Sequence, residues 1–119
     1  MAKPHCDEKT NEYIKDIIYN NKIVIFGFTD CSDTQNLSKF FKNEYNHDSK
    51  IIYVDQIGKG NTKDNSNNNT KINKESFKDC ILLRTKDLIL PKTFANGMYL
   101  GGYKKVQEIN YRRDLDILF

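Results

Sequence analysis

KIVIFGFTDCSDT, Lys22 to Thr34, is the stretch that decides how this chain folds. Lys22 to Phe28 is β-branched and aromatic, with apolar side chains on both faces of an extended chain. Such a strand belongs at the centre of a sheet covered on both sides. Cys31 follows where the strand gives way to a helix, because Leu37, Phe40, Phe41 and Tyr45 then recur at helical spacing until Asn46-His47. KIIYVD, Lys50 to Asp55, reads as another buried strand. Strand, helix and strand at this length make a βαβ unit, with a right-handed crossover.

Working outward, Tyr13, Ile14, Ile17 and Ile18 fall at helical spacing between Asn11 and Asn20, so a short amphipathic helix precedes the unit. Residues 1–10 read as a flexible polar tail. Gly58 to Lys74, dominated by Asn, Lys and Gly, reads as a flexible insertion rather than a partner-binding loop. Ser76 to Arg84 reads as a helix with Phe77, Ile81 and Cys80 inward. After Pro91, KTFANGMYLGG reads as a hairpin turning at Asn96-Gly97, the dipeptide that a type I′ turn prefers. Val106, Ile109, Leu115, Ile117, Leu118 and Phe119 supply apolar faces for one or two closing helices. The expected order is α-βαβ-α-ββ-α, an α/β fold with a four-stranded mixed sheet sandwiched between helices, as a single domain over residues 11–119.

The bulk numbers fit that reading. The chain has 119 residues, 38% hydrophobic and 29% charged, enough for one core. The net charge is only +3, and the basic spots at Lys104-Lys105 and Arg112-Arg113 are isolated, so no nucleic-acid partner is expected. No apolar run approaches membrane-spanning length, and the first residues lack a signal peptide's apolar core. Three cysteines, Cys6, Cys31 and Cys80, make an odd count that no set of pairs can exhaust, which suggests a reducing compartment and a cytoplasmic protein. His5 and Cys6 are too sparse a pair to signal a metal tail.

Cys31 is the candidate nucleophile. At a helix start it lies near unpaired backbone N–H groups and the positive end of the helix dipole, and both favour the reactive thiolate. Asp30 and Asp33 oppose this by disfavouring another negative charge. Each effect is about 1 kcal/mol at a partly exposed position, so the sequence leaves the balance open. Thr34 stands where a C-x-x-C motif would place a second thiol, and it cannot resolve a mixed disulfide. Resolution falls to an outside thiol, or to Cys6 or Cys80.

KIVIFGFTDCSDT, then LILPKTFANGMYLGGYKKVQEI, then LDILF, taken in order, resemble the glutaredoxins of the thioredoxin-fold superfamily. The resemblance implies a cis bond at Leu90–Pro91, with Pro91 opposite Cys31. It implies glutathione held by Leu90, Pro91, Gly101, Gly102 and Tyr103, largely through backbone, with its glutamyl carboxylate at the following helix N-terminus. The side chains depart from the family pattern. Phe28 stands where the family usually has a Lys that meets the glycyl carboxylate. Ile89 stands for the Thr before the Pro. Tyr103, Lys104 and Lys105 stand where an Asp usually accepts the glutamyl ammonium. CSDT matches neither C-x-x-C nor the C-G-F-S of single-thiol members. The implied function is therefore a divergent single-thiol, glutathione-linked thiol–disulfide exchange through Cys31, acting on glutathione or glutathionylated protein thiols with an altered glutathione site. Two alternatives remain: a non-catalytic thioredoxin-fold binding module, and a [2Fe–2S] carrier that ligates its cluster with Cys31 and glutathione. The chain would be a monomer, or a dimer when cluster-bound.

Overall fold

The computed structural model describes residues 6–57, 72, 74–86 and 90–112. Its elements run α1 (Glu8–Asn20), β1 (Ile23–Gly27), α2 (Ser32–Tyr45), β2 (Lys50–Tyr53), a 3-10 turn (Val54–Gln56), α3 (Lys74–Thr85), β3 (Lys92–Ala95), β4 (Met98–Gly101) and α4 (Tyr103–Tyr111). The sheet order is β2-β1-β3-β4, with β1 parallel to β2 and antiparallel to β3, and β3 antiparallel to β4. This is the expected mixed sheet between helices. Most of the expected insertion over 58–74, Ile89 and the closing LDILF lie outside the described residues.

Every residue of β1 is buried, because both of its faces are covered. The pleat sends successive side chains to opposite sides. Val24 and Phe26 enter a core with Ile14, Ile18, Phe77, Ile81 and Phe94, under α1 and α3. Ile23 and Ile25 enter a second core with Leu37, Phe41, Leu100 and Val106, under α2 and α4. Phe26 meets the rings of Phe77 and Phe94 edge-on, each at 5.7 Å. The hairpin turns at Asn96 and Gly97, with φ of 51° and 82°, as the I′ turn requires.

Two differences from the sequence reading concern the N-terminal segment. The first helix begins at Glu8 rather than near Asn11, because Asp7 caps it: its Oδ1 accepts from the Thr10 N–H at 2.7 Å. The first turn is polar, so apolar spacing does not reveal it. Residues 6–10 are therefore not a polar tail. The Ser76 hydroxyl donates to Asp7 Oδ2 at 2.8 Å, and the Asp7 N–H donates to Ser76 Oγ at 3.1 Å. Beside these bonds Cys6 and Cys80 form a disulfide across a sequence separation of 74, with Cα atoms 4.7 Å apart. An odd count needs only one cysteine left over, and here that is Cys31.

Gly27 closes β1 against α2. A Cβ there would fall on Thr34 Oγ1 and lie 2.7 Å from its Cγ2 and 2.9 Å from its Cβ. All three atoms belong to one short side chain that is 0% exposed. Gly27→Ala is expected to cost about 2–3 kcal/mol by overpacking, read as a lower urea midpoint with an unchanged slope. An unchanged midpoint would mean that Thr34 can turn away.

Candidate functional site

The site is built at the C-terminal end of β1. Phe28 leaves the strand, and its N–H donates to Thr34 Oγ1 at 3.4 Å. Its carbonyl accepts from the Cys31 N–H at 3.3 Å. Thr29 is clamped from the other side: its N–H donates to Asp55 Oδ1 at 3.1 Å and its hydroxyl to Asp55 Oδ2 at 2.6 Å. Asp55 sits in the 3-10 turn that follows β2, so the two parallel strands hold the loop between them. Gln35 of α2 ties the same strand, donating to the Tyr53 hydroxyl at 3.1 Å.

Cys31 is the N-cap residue of α2, partly buried, in extended backbone conformation, and its side chain makes no capping hydrogen bond. The sulfur thus stands at the helix start without being spent on the helix. Asp30, Ser32 and Asp33 around it are exposed. Thr34 faces the other way, buried against Gly27 and bonded to Phe28. The second position of the motif is used to lock the strand end to the helix, and neither its chemistry nor its direction suits thiol exchange.

The remaining residues expected at the site come from the hairpin. In the β1–β3 register Phe26 pairs with Lys92, so Gly27 and Phe28 run out beside Pro91 and Leu90. The Leu90–Pro91 bond is cis. Pro91 is buried and Leu90 partly exposed. Gly102 lies against this bend: a Cβ on it would stand 3.2 Å from the Pro91 carbonyl oxygen. Gly101 has a φ of 113°, and a Cβ there would meet Lys105 at 2.8 Å. Gly102 is the N-cap of α4, and Tyr103, Lys104 and Lys105 form its first turn. Cys31, Leu90–Pro91 and Gly101–Tyr103 are all strand-end or helix-start residues of the β1, β3 and β4 framework.

Sequence reasoning missed two parts of this end of the molecule. Asp55, which ends the KIIYVD run, lies past the strand and anchors the Cys31 loop through Thr29. The other is a groove of about 210 Å³ between the loop and α3. Phe28, Val54, Phe77, Ile81, Leu82 and Leu90 form its apolar wall, and Lys78 and Lys92 add two amines. Lys92 is 1% exposed and holds its Nζ 5.4 Å from the centre of the Tyr99 ring. Among the described residues no group of three or more His, Cys, Asp or Glu is placed to hold a metal ion, and no helix is long and apolar enough to cross a membrane.

A β2-β1-β3-β4 sheet with a cysteine at the helix start after the first βαβ strand, and a hairpin led by a cis proline, has the thioredoxin fold. No family model matches the chain. Glutaredoxin-2, mitochondrial, of Mus musculus is 29% identical to it over 89 residues, covering 75% of this chain and 47% of that protein. The Homo sapiens protein of the same name is 28% identical over 89 residues, covering 75% and 45%. The chain thus spans less than half the length of these relatives. Among solved structures, wheat glutaredoxin superposes with a TM-score of 0.74 at 19% identity, covering 99% of this chain and 95% of that one. A buckwheat glutaredoxin–glutathione complex gives 0.73 at 18% identity, covering 93% and 87%. The chain is a glutaredoxin-like protein of the thioredoxin fold.

Proposed function

We propose that this chain exchanges disulfides through Cys31 alone, with glutathione and glutathionylated protein thiols as its substrates. The observation that carries the proposal is the placement of the chain's single free cysteine at the start of α2, at the end of β1 that also presents Leu90–Pro91. In the forward half-reaction the Cys31 thiolate attacks the glutathionyl sulfur of a mixed disulfide. The old S–S bond breaks, the target leaves as thiolate and takes up a proton, and Cys31 carries the glutathionyl group. A second glutathione thiolate attacks that same glutathionyl sulfur, releasing Cys31 and glutathione disulfide. The outside thiol is required because Thr34 is buried and Cys6 and Cys80 are bonded to each other.

Backbone supports this ligand better than side chains do. The backbone of Leu90 would pair with the cysteinyl part of the ligand. The first turn of α4 offers unpaired N–H groups behind Gly102, with exposed Lys104 and Lys105 favouring a carboxylate there. Phe28 offers no cation to a second carboxylate, which weakens free glutathione as a ligand by about 0–1 kcal/mol at an exposed pair. A [2Fe–2S] cluster shared by two copies would use the same Cys31 sulfur with two glutathione thiolates. Phe28 in place of the cation, and CSDT in place of C-G-F-S, favour exchange over the cluster. The chemistry needs a glutathione pool, as in the cytoplasm.

Incubation with glutathione disulfide tests the reading. Intact mass followed by peptide mapping should find one glutathionyl adduct, on Cys31, that added glutathione removes. A chain that takes up no adduct, or carries it elsewhere, is not this kind of exchanger.

A further inference from the structure

The groove beside Cys31 has no part in the exchange chemistry itself, yet it shares two residues with the machinery. Phe28 forms one wall, and its carbonyl holds the Cys31 N–H at 3.3 Å. Leu90 forms another, and it precedes Pro91 at the entry to β3. A protein whose mixed disulfide with glutathione is brought to Cys31 lies next to this groove. About 210 Å³ is smaller than the roughly 300–1,000 Å³ of sites that enclose a whole small molecule. It suits a side chain.

The lining says which side chain. Among the described residues it is apolar apart from Lys78 and Lys92, with no carboxylate and no hydroxyl. Lys78 is exposed at the rim, on α3. Asp30 and Asp33, which flank Cys31 in the sequence, are exposed and carry the opposite charge. A side chain entering the groove therefore meets a cation, Lys78, at its edge. We propose that the groove selects protein substrates: it takes an apolar side chain next to the target cysteine, with an acidic neighbour of that side chain meeting Lys78. The inference rests on Cys31 exchange and names the substrate class for it. Glutathione carries no apolar side chain, so it leaves the groove unfilled.

Three glutathionylated peptides, identical except for the two residues on one side of the cysteine, separate the contributions. Those residues are Leu-Glu, Ser-Glu and Leu-Lys. The Leu-Glu peptide should show the highest kcat/KM, with about a tenfold loss for Ser-Glu and a loss of a few fold for Leu-Lys. Phe28→Lys should collapse the Leu over Ser preference, and Lys78→Glu should invert the Glu over Lys preference. Thermal melts report that the variants are folded. Equal kcat/KM for all three peptides, or preferences that survive both substitutions, would overturn the groove as selector. Failure of every peptide to react would instead overturn the exchange reading. The groove is then judged by NMR with Leu-Glu and Ser-Glu peptides carrying Ser for Cys. Shifts at Phe28, Ile81 and Leu90 with the Leu-Glu peptide alone support it, and shifts absent or equal with both refute it.

Discussion

Replacing Cys31 with serine should reduce exchange to the uncatalysed rate between the free thiols, a fall of at least about 10²-fold, while leaving the fold intact. A serine oxygen cannot form the disulfide intermediate, so the loss is of the pathway and not of a fraction of it. The other cysteines offer no bypass: Cys80 is 2% exposed in the core under α1 and α3, and it is bonded to Cys6. The substitution should be mild structurally because the Cys31 side chain makes no cap to the helix, and serine is a good N-cap residue. Activity is followed with a glutathionylated peptide in a coupled glutathione reductase assay. Peptide binding is followed separately, by titration with a cysteine-free version. Binding that persists without turnover is expected, because Leu90–Pro91 and the groove are untouched. Turnover retained by Cys31→Ser would remove the chain from thiol chemistry and leave the binding-module reading in its place.

What the sequence disclosed of this molecule follows the range of the interaction concerned. The centre of the sheet was legible because Ile23 to Phe26 carry apolar groups to both faces, a demand that only a doubly covered strand makes. Asn96-Gly97 was legible because consecutive positive φ angles select those residues locally. The start of α1 was not, since Asp7 signals it by a capping bond rather than by hydrophobic spacing. The tie of Thr29 to Asp55 spans 26 residues, and the Cys6–Cys80 bond spans 74. Neither has a local signature, because each depends on where β1, β2, α1 and α3 come to rest. The site divides in the same way. Cys31, Pro91 and the glycine pair stand out as residue types at strand and helix ends. The groove exists only once Phe28 and Leu90 from the loop and hairpin face Phe77 and Ile81 from α3. Phe28 in the sequence looks like the loss of a cation; in the fold it is also the gain of an apolar wall.

The largest stability effect is expected from the bond that the sequence hid. Cys6→Ser should lower the unfolding free energy by about 4 kcal/mol, the chain-entropy value for opening a closed loop of this length. For a domain this size that corresponds to a fall in Tm of roughly 15 °C. Cys6 is the better of the two positions to change. It is only partly buried at the core's rim, whereas Cys80 is enclosed, so its removal adds a cavity term to the cross-link term. Cys80→Ala should therefore cost more than Cys6→Ser, by about 1 kcal/mol. The hydrogen bonds between Asp7 and Ser76, and the 2.9 Å bond from Arg84 to Asn11, remain in the variant and keep α1 on α3 in the folded state. The loss is thus felt mainly in the unfolded chain, which regains the freedom of the whole loop from Cys6 to Cys80. Two melts decide the point, one in oxidising buffer and one with excess reductant. The wild type should drop toward the variant when reduced, and the variant should not move. A wild type whose Tm is indifferent to reductant, or a variant within 3 °C of it, would show that the cross-link adds nothing to the packing of α1 against α3. Exchange at Cys31 should survive in either state, because the outside thiol that completes its cycle does not depend on Cys6 or Cys80.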